Sequence, residues 1–167
     1  MAKYIQQVAG TLTEIVPISA TTGLTDASKV VQTDATGKLD KSLMPVGIAP
    51  DTFSVLASED LLAGDFVHIY DNAGTANVRK ADATLPGKHA MGYVTVGVTT
   101  GSNAQVYFEG MNSNQVGLTI GKVYLATTAG LATNTVPTTA GQILQVLGNA
   151  FNATQVNLEL GEPITLA

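Results

Sequence analysis

From Thr52 onward the apolar and polar positions of this chain alternate in short runs, with glycine-bearing turns between them. Gln155-Val156-Asn157-Leu158-Glu159-Leu160 is the clearest run: every second side chain is apolar, the period of a strand with one wet and one buried face. The same reading predicts strands over Thr52–Ala57, Asp65–Tyr70, Asn77–Ala81, His89–Val98, Gln105–Glu109, Lys122–Ala126, Ile143–Ala150, Thr154–Leu160 and Ile164–Leu166. Short strands at such regular spacing indicate an all-β domain. Most glycines fall between these segments. Gly92, Gly97 and Gly148 fall inside them, which predicts bulges or a barrel corner. No stretch has the period of a long amphipathic helix; Ser58–Leu62 is at most a single turn.

The pattern occurs twice. One copy runs from Leu61-Leu62-Ala63-Gly64-Asp65-Phe66-Val67 through a turn at Asp71-Asn72-Ala73-Gly74 to Val106–Gly110. The other runs from Leu118-Thr119-Ile120-Gly121-Lys122-Val123 through a turn at Thr128-Ala129-Gly130 to Val156–Gly161. The expected fold is therefore all-β, a short-strand sandwich or barrel built from a duplicated meander.

Residues 1–50 follow neither pattern. Glycine is sparse, apolar residues are scattered, and Pro17, Pro45 and Pro50 interrupt regular elements. A short helical turn is expected around Asp26–Val30 with Thr25 as its cap, and a turn over Thr33–Lys38. We read residues 1–50 as an extended N-terminal arm and linker, and residues 51–167 as a β-sandwich or barrel body. Ile5, Val8, Leu12, Ile15, Leu24 and Leu43 are among the apolar residues that favour an arm docked on a partner over a disordered leader, since disordered segments are poor in such residues.

Charge sharpens this division. The chain carries a net charge of −5 and only 13% charged residues, about half the usual quarter. The arm is balanced, and the whole acidic excess lies in the body. An acidic body is repelled by phosphate backbones, so nucleic acid is not an expected partner. Low charge suits surfaces buried between subunits. No apolar run reaches the length of a membrane span, so no membrane partner is expected. Met1–Gln7 lacks the apolar stretch of a secretion signal, which predicts synthesis in the host cytoplasm.

Candidate chemistry is thin. The chain has no cysteine. Its two histidines, His68 and His89, lie on different predicted strands without metal-ligand spacing. Asp71-Asn72-Ala73-Gly74 resembles the opening of a calcium loop but lacks the later ligands, and a hairpin turn explains it. There is no G-x-S-x-G element and no glycine-rich phosphate loop. The chain has no tryptophan, the usual companion of a glycosidase carboxylate pair. Tyr70, Tyr93, Tyr107, Phe108 and Tyr124 read as core or subunit-contact residues. No enzyme activity, cofactor or metal is expected.

The run Val31-Gln32-Thr33-Asp34-Ala35-Thr36-Gly37-Lys38-Leu39-Asp40-Lys41-Ser42-Leu43-Met44-Pro45-Val46-Gly47-Ile48 resembles the linker of tailed-bacteriophage virion proteins of the head decoration (capsid cement) and head-fibre type. The L-x-A-G-D-F-V block ending at Val67, the Val78–Thr84 stretch and the closing Pro163-Ile164-Thr165-Leu166-Ala167 are similar too, so the resemblance covers most of residues 30–167. It implies a non-enzymatic virion protein on the capsid exterior, with an arm that grips the major capsid protein and a β-body that forms a homotrimer. Leu39, Leu43 and Met44 are the expected capsid-contact residues, because apolar side chains at a junction can bury against both body and shell. A tail or baseplate adaptor or a fibre base would share this architecture. A receptor- or carbohydrate-binding module is the alternative of a different class, and the shortage of aromatic residues weighs against it.

Overall fold

The computed structural model describes residues 3–44 and 50–167. The chain divides into two compact units, Met1–Ala49 and Pro50–Ala167. Pro45 and the rest of the linker to Ala49 lie outside the described residues.

The first unit opens with a hairpin, β1 (Tyr4–Val8) against β2 (Thr11–Ile15), in the register Tyr4↔Ile15 to Val8↔Thr11. The expectation of a plain extended arm missed this element. Its two-residue loop is Ala9-Gly10, both at positive φ, the primed turn whose twist matches that of the strands. Two single 3-10 turns follow, Leu24–Asp26 and Lys41–Leu43. The expected helical turn thus lies slightly upstream of Asp26–Val30, and Thr25 does not cap it. Gly23 occupies the cap position, without a side-chain cap bond. Asp26 organises this region instead, accepting from the Thr22 N–H at 2.7 Å and from Lys29 Nζ at 2.6 Å. The expected turn over Thr33–Lys38 is present: Asp34 Oδ1 accepts from the N–H groups of Thr36 (2.8 Å) and Lys38 (3.0 Å), a side chain imitating a turn carbonyl. Asp40 Oδ1 does the same for Ser42 at 2.9 Å.

The second unit is all-β, with no α-helix among its described residues. Its first half contains β3 (Thr52–Ala57), β4 (Phe66–Asn72), β5 (Thr75–Lys80), β6 (Gly92–Val94) and β7 (Asn103–Tyr107), closed into a barrel in the order β3-β5-β4-β6-β7. Its second half contains β8 (Met111–Asn112), β9 (Gly121–Leu125), β10 (Ala132–Thr133), β12 (Val146–Ala150) and β13 (Val156–Leu158), in the order β10-β9-β12-β13-β8. Read from β5, the barrel order is β5-β4-β6-β7-β3, so the two halves share one topology. The duplicated sequence pattern is a duplicated sheet.

The copies differ in closure. In the first, β3 meets β5 in parallel, Leu56↔Asn77 and Ala57↔Val78. In the second, β8 and β10 are two residues each and do not pair. The buried amide of Gln115 occupies that gap: its Oε1 accepts from the Ala132 N–H at 3.2 Å, and its Nε2 donates to the Gly64 carbonyl at 2.6 Å. One side chain thus takes up an edge-strand N–H and ties the second half to the first.

Several expected strands are shorter or broken, among them Thr154–Leu160, which keeps only β13. His89–Val98 contains only β6, because its start is held by side chains rather than by a ladder. Ile143–Ala150 is split at Gln145: β11 (Ile143–Leu144) pairs with β14 (Ile164–Thr165), and β12 joins the sheet. Gly148 marks a bulge, where the register against β9 shifts between Val146 and Gly148. At φ 139, where an added Cβ would fall on the Asn157 carbonyl oxygen, the position accommodates no side chain. Gly92 has a different reason to be glycine: a Cβ there would enter the Tyr107 carbonyl and the Val106 side chain.

Alternation along the strands separates two cores. Val55, Ala57, Val67, Val78, Val94, Ala104 and Val106 fill the barrel. Phe66, Ala81, Tyr93, Val123, Leu125, Leu147 and Val156 form the second, which includes residues of both copies. Such shared burial makes the halves one folding body. Among the described residues, no helix is long and apolar enough to cross a membrane.

Candidate interaction surfaces

The arm is rich in apolar residues yet almost coreless. Among its described residues only Pro17 is buried, while Ile5 is 75% exposed, Leu12 72% and Leu24 94%. The hairpin carries apolar side chains on both faces: alternation puts Ile5 and Leu12 on one, Tyr4 and Ile15 on the other. An isolated two-stranded hairpin is marginal in water. The Lys3–Glu14 ion pair lies on the Ile5 face, so that face has no net charge. Leu39, Leu43 and Met44 flank or lie on the Lys41–Leu43 turn, with Leu43 half-buried and the other two exposed. The Thr21 N–H donates to Ser42 Oγ at 2.9 Å and holds this turn against the earlier part of the arm.

On the body, the turn at Asp71–Gly74 is a hairpin loop. Asp71 Oδ1 accepts from the Gly74 N–H at 2.8 Å, and Asn72 pairs with Thr75. The carboxylate is thus engaged by the backbone. The two histidines do meet, which their separation in sequence gave no reason to expect. His68 on β4 lies 4.7 Å from His89, centroid to centroid, edge to face. Its Nδ1 is 2.8 Å from the His89 carbonyl oxygen, and so donates to it. Burial lowers the His68 pKa below its ordinary value; the bond to the His89 carbonyl opposes this, while the charges of His89 and Arg79 add to it. Arg79, directly across from His68, stacks on Tyr70 at 4.4 Å and donates to the Gly87 carbonyl. These contacts fasten the β5–β6 loop to the barrel wall. No group of three or more His, Asp or Glu side chains suited to a metal occurs among the described residues.

Two buried carboxylates are structural. Asp65 accepts from the Leu62 N–H at 2.7 Å and pairs with Lys80 at 3.3 Å. In the second copy the equivalent donor, the Thr119 N–H, is taken by Asn134 Oδ1 at 2.8 Å. Asp82 accepts from the hydroxyl and N–H of Thr84 and pairs with Lys88 at 3.0 Å. Burial pushes the Asp82 pKa up, but the bonds from Thr84 and Lys88 outweigh it and hold the group below its ordinary value. A groove of about 410 Å³ beside β10 is lined by residues such as Thr127, Thr133, Thr135, Val136, Pro137 and Thr139, and no titratable side chain lines it.

The expected aromatic contacts divide. Tyr93 is buried in the shared core, with Tyr107 packed beside it at 5.6 Å. Phe108 packs on the barrel core. Tyr70 and Tyr124 are half-buried.

No family model matches the chain, and no curated protein matches it in sequence. Among solved structures, the N base of the head fiber protein gp8.5 of bacteriophage phi29 is similar in fold at TM-score 0.45 and 14% identity, over 68% of this chain and 95% of that one. A likeness of that degree carries no statement of function.

Proposed function

We propose that this chain is a non-enzymatic structural protein of a tailed-phage virion, which binds the outer surface of the capsid as a homotrimer and stabilises it. The observation that carries this reading is the arm: apolar residues in number, a hairpin and two turns, and a single buried residue among those described. Such a segment orders its backbone without a core of its own, so its apolar side chains gain most by lying on another surface. The resemblance of Val31–Ile48 and Pro163–Ala167 to head decoration and head-fibre proteins supplies the partner, the major capsid protein. Leu39, Leu43 and Met44 are the proposed contacts, joined by Ile5 and Leu12 of the hairpin.

The body fits the same role. It is acidic and poor in charge, with its buried carboxylates Asp65 and Asp82 engaged in the fold. A protein that binds only the assembled shell stabilises it by mass action. No catalysis, cofactor, nucleic-acid or membrane contact enters this reading. The test is an image of the parent particle with the protein labelled. Density on the outside of the head supports the proposal; density confined to the tail overturns it in favour of an adaptor or fibre base.

A further inference from the structure

Between Ile18 and Met44 the arm bends three times, and each bend carries an aspartate whose side chain bonds the main chain. Ile18 closes the first loop: its N–H donates to the Val30 carbonyl and its carbonyl accepts from the Gln32 N–H, both at 2.9 Å. Within that loop Asp26 Oδ2 accepts from the Thr22 N–H at 2.7 Å and from the hydroxyls of Thr22 (3.0 Å) and Thr21 (3.4 Å). Asp34 holds the second bend. Besides the Thr36 and Lys38 N–H groups, its Oδ1 accepts from the Thr36 hydroxyl at 2.7 Å, and its own N–H donates to the Lys38 carbonyl at 2.8 Å. Asp40 holds the third, accepting from the Ser42 N–H at the head of the Lys41–Leu43 turn. The bond from the Thr21 N–H to Ser42 Oγ ties the first bend to the third.

These bonds stand where a core would. Fixing the backbone costs conformational entropy at every residue, and among the described residues of the arm only Pro17 is buried. What offsets the cost here is local. Three carboxylates take up the N–H groups of Thr22, Thr36, Lys38 and Ser42, and bonds to a charged acceptor are stronger than neutral ones. Aspartate suits the task because its short side chain reaches main-chain N–H groups two to four residues away. A segment that orders only on its partner bears the entropy cost at that moment and binds more weakly for it. Residues 18–44 meet that cost beforehand.

We propose that Asp26, Asp34 and Asp40 are positioning residues that set the shape of residues 18–44 before a partner is met, so that the arm docks as a preformed element. The order of the free arm follows from the bonds alone; its consequence for binding rests on the docking role in the proposed function. Leu24 lies two residues before Asp26, Leu39 directly precedes Asp40, and the Met44 N–H donates to the Lys41 carbonyl. The main chain that carries these apolar side chains is therefore fixed when the bends are. The carboxylates of Asp34 and Asp40 act through geometry and not as charges offered to the partner. Asparagine keeps the accepting oxygen without the charge, and so can replace them.

The test uses the full chain as wild type, Asp26→Ala, Asp34→Ala/Asp40→Ala and Asp34→Asn/Asp40→Asn. Backbone nitrogen-15 relaxation reads order on the picosecond-to-nanosecond scale without any partner present. The expected result is an ordered main chain over 18–44 in the wild type and in the asparagine variant. Asp26→Ala loosens 18–32, and the double alanine variant loosens 33–44. The body keeps its circular dichroism and melting in all four, since both cores lie outside the arm. Binding to phage heads that carry none of this protein is expected to weaken about 10-fold or more in the alanine variants and to return to within about 3-fold in the asparagine variant. A wild-type arm as mobile as a free chain overturns the proposal, whatever the heads do. An asparagine variant as loose or as weak as the alanine one also overturns it, because charge and not geometry is then the agent. An ordered wild-type arm that loosens in the alanine variants supports the positioning role even if the wild type binds no heads, a result that overturns the docking reading alone.

Discussion

Gln145 offers the sharpest test of how the two halves are joined. Its amide is buried, accepts from the Ala90 N–H at 2.7 Å, and donates to the Ala90 carbonyl at 2.9 Å and the Gly161 carbonyl at 3.3 Å. It thus completes for Ala90 the two bonds that a neighbouring strand would give. Gln145→Leu keeps the approximate volume and removes all three bonds. Ala90 is itself buried, so its N–H and carbonyl lose their partners out of reach of water. Each such group costs about 1–3 kcal/mol. The Gly161 bond is long and only part-buried, and adds little. The expected loss is about 3–4 kcal/mol, a large share of a stability that is typically about 5–15 kcal/mol. Equilibrium urea unfolding, followed by circular dichroism, reads it as a lower midpoint at unchanged slope. Gln142→Leu, outside this network, serves as the control. A loss under about 1 kcal/mol for Gln145→Leu would refute the reasoning and mean that the halves are held by apolar packing and by their other bonds, such as Gln115 to Gly64.

Gly148→Ala is expected to cost about 3 kcal/mol in the same assay, because the residue sits at positive φ against the Asn157 carbonyl. His68 has a folded-state pKa below its unfolded value of 6.5. Its contribution is therefore complete above that pH and declines as acid protonates the unfolded chain first. His68→Phe should flatten the stability profile on the acid side of pH 6.5. Asp82, also lowered from 3.8, contributes above its unfolded value and is lost in stronger acid; Asp82→Asn should flatten only that lower limb. Deleting residues 1–45 should leave the melting temperature and circular dichroism of the body nearly unchanged, since both cores are made wholly from residues after Asp51.

Much of the body was legible because half-buried strands write their burial as alternation. β3 was expected at Thr52–Ala57 and occurs there. The doubled turn pattern pointed to a doubled sheet. What stayed hidden depends on partners distant in sequence. The parallel β3–β5 closure leaves no local trace, and neither does the meeting of His68 with His89. Gln145 looked like one more polar strand position, yet it is where Ile143–Ala150 changes sheets, because its side chain bonds a segment 55 residues away. The Tyr4–Ile15 hairpin was missed because apolar residues on both faces blur the alternation that marks a strand. Strands of two residues, such as Met111–Asn112 and Ala132–Thr133, are too short to carry a period. On the arm, the sequence shows which residues are apolar but not that they lack a core, and that shortage is what supports a docking role.

The central claim is that the arm attaches this protein to a phage head. Burial of Leu39, Leu43 and Met44 would contribute roughly 1.5–3 kcal/mol each, and copies in an oligomer would reinforce one another. The direct measurement is co-sedimentation of the full chain, and of the chain lacking residues 1–45, with heads of the parent phage that carry none of this protein. The account predicts saturable binding by the full chain and an affinity lower by a factor of about 1,000 or more for the truncated one. Equal binding by the two would contradict it and move the contact to the body.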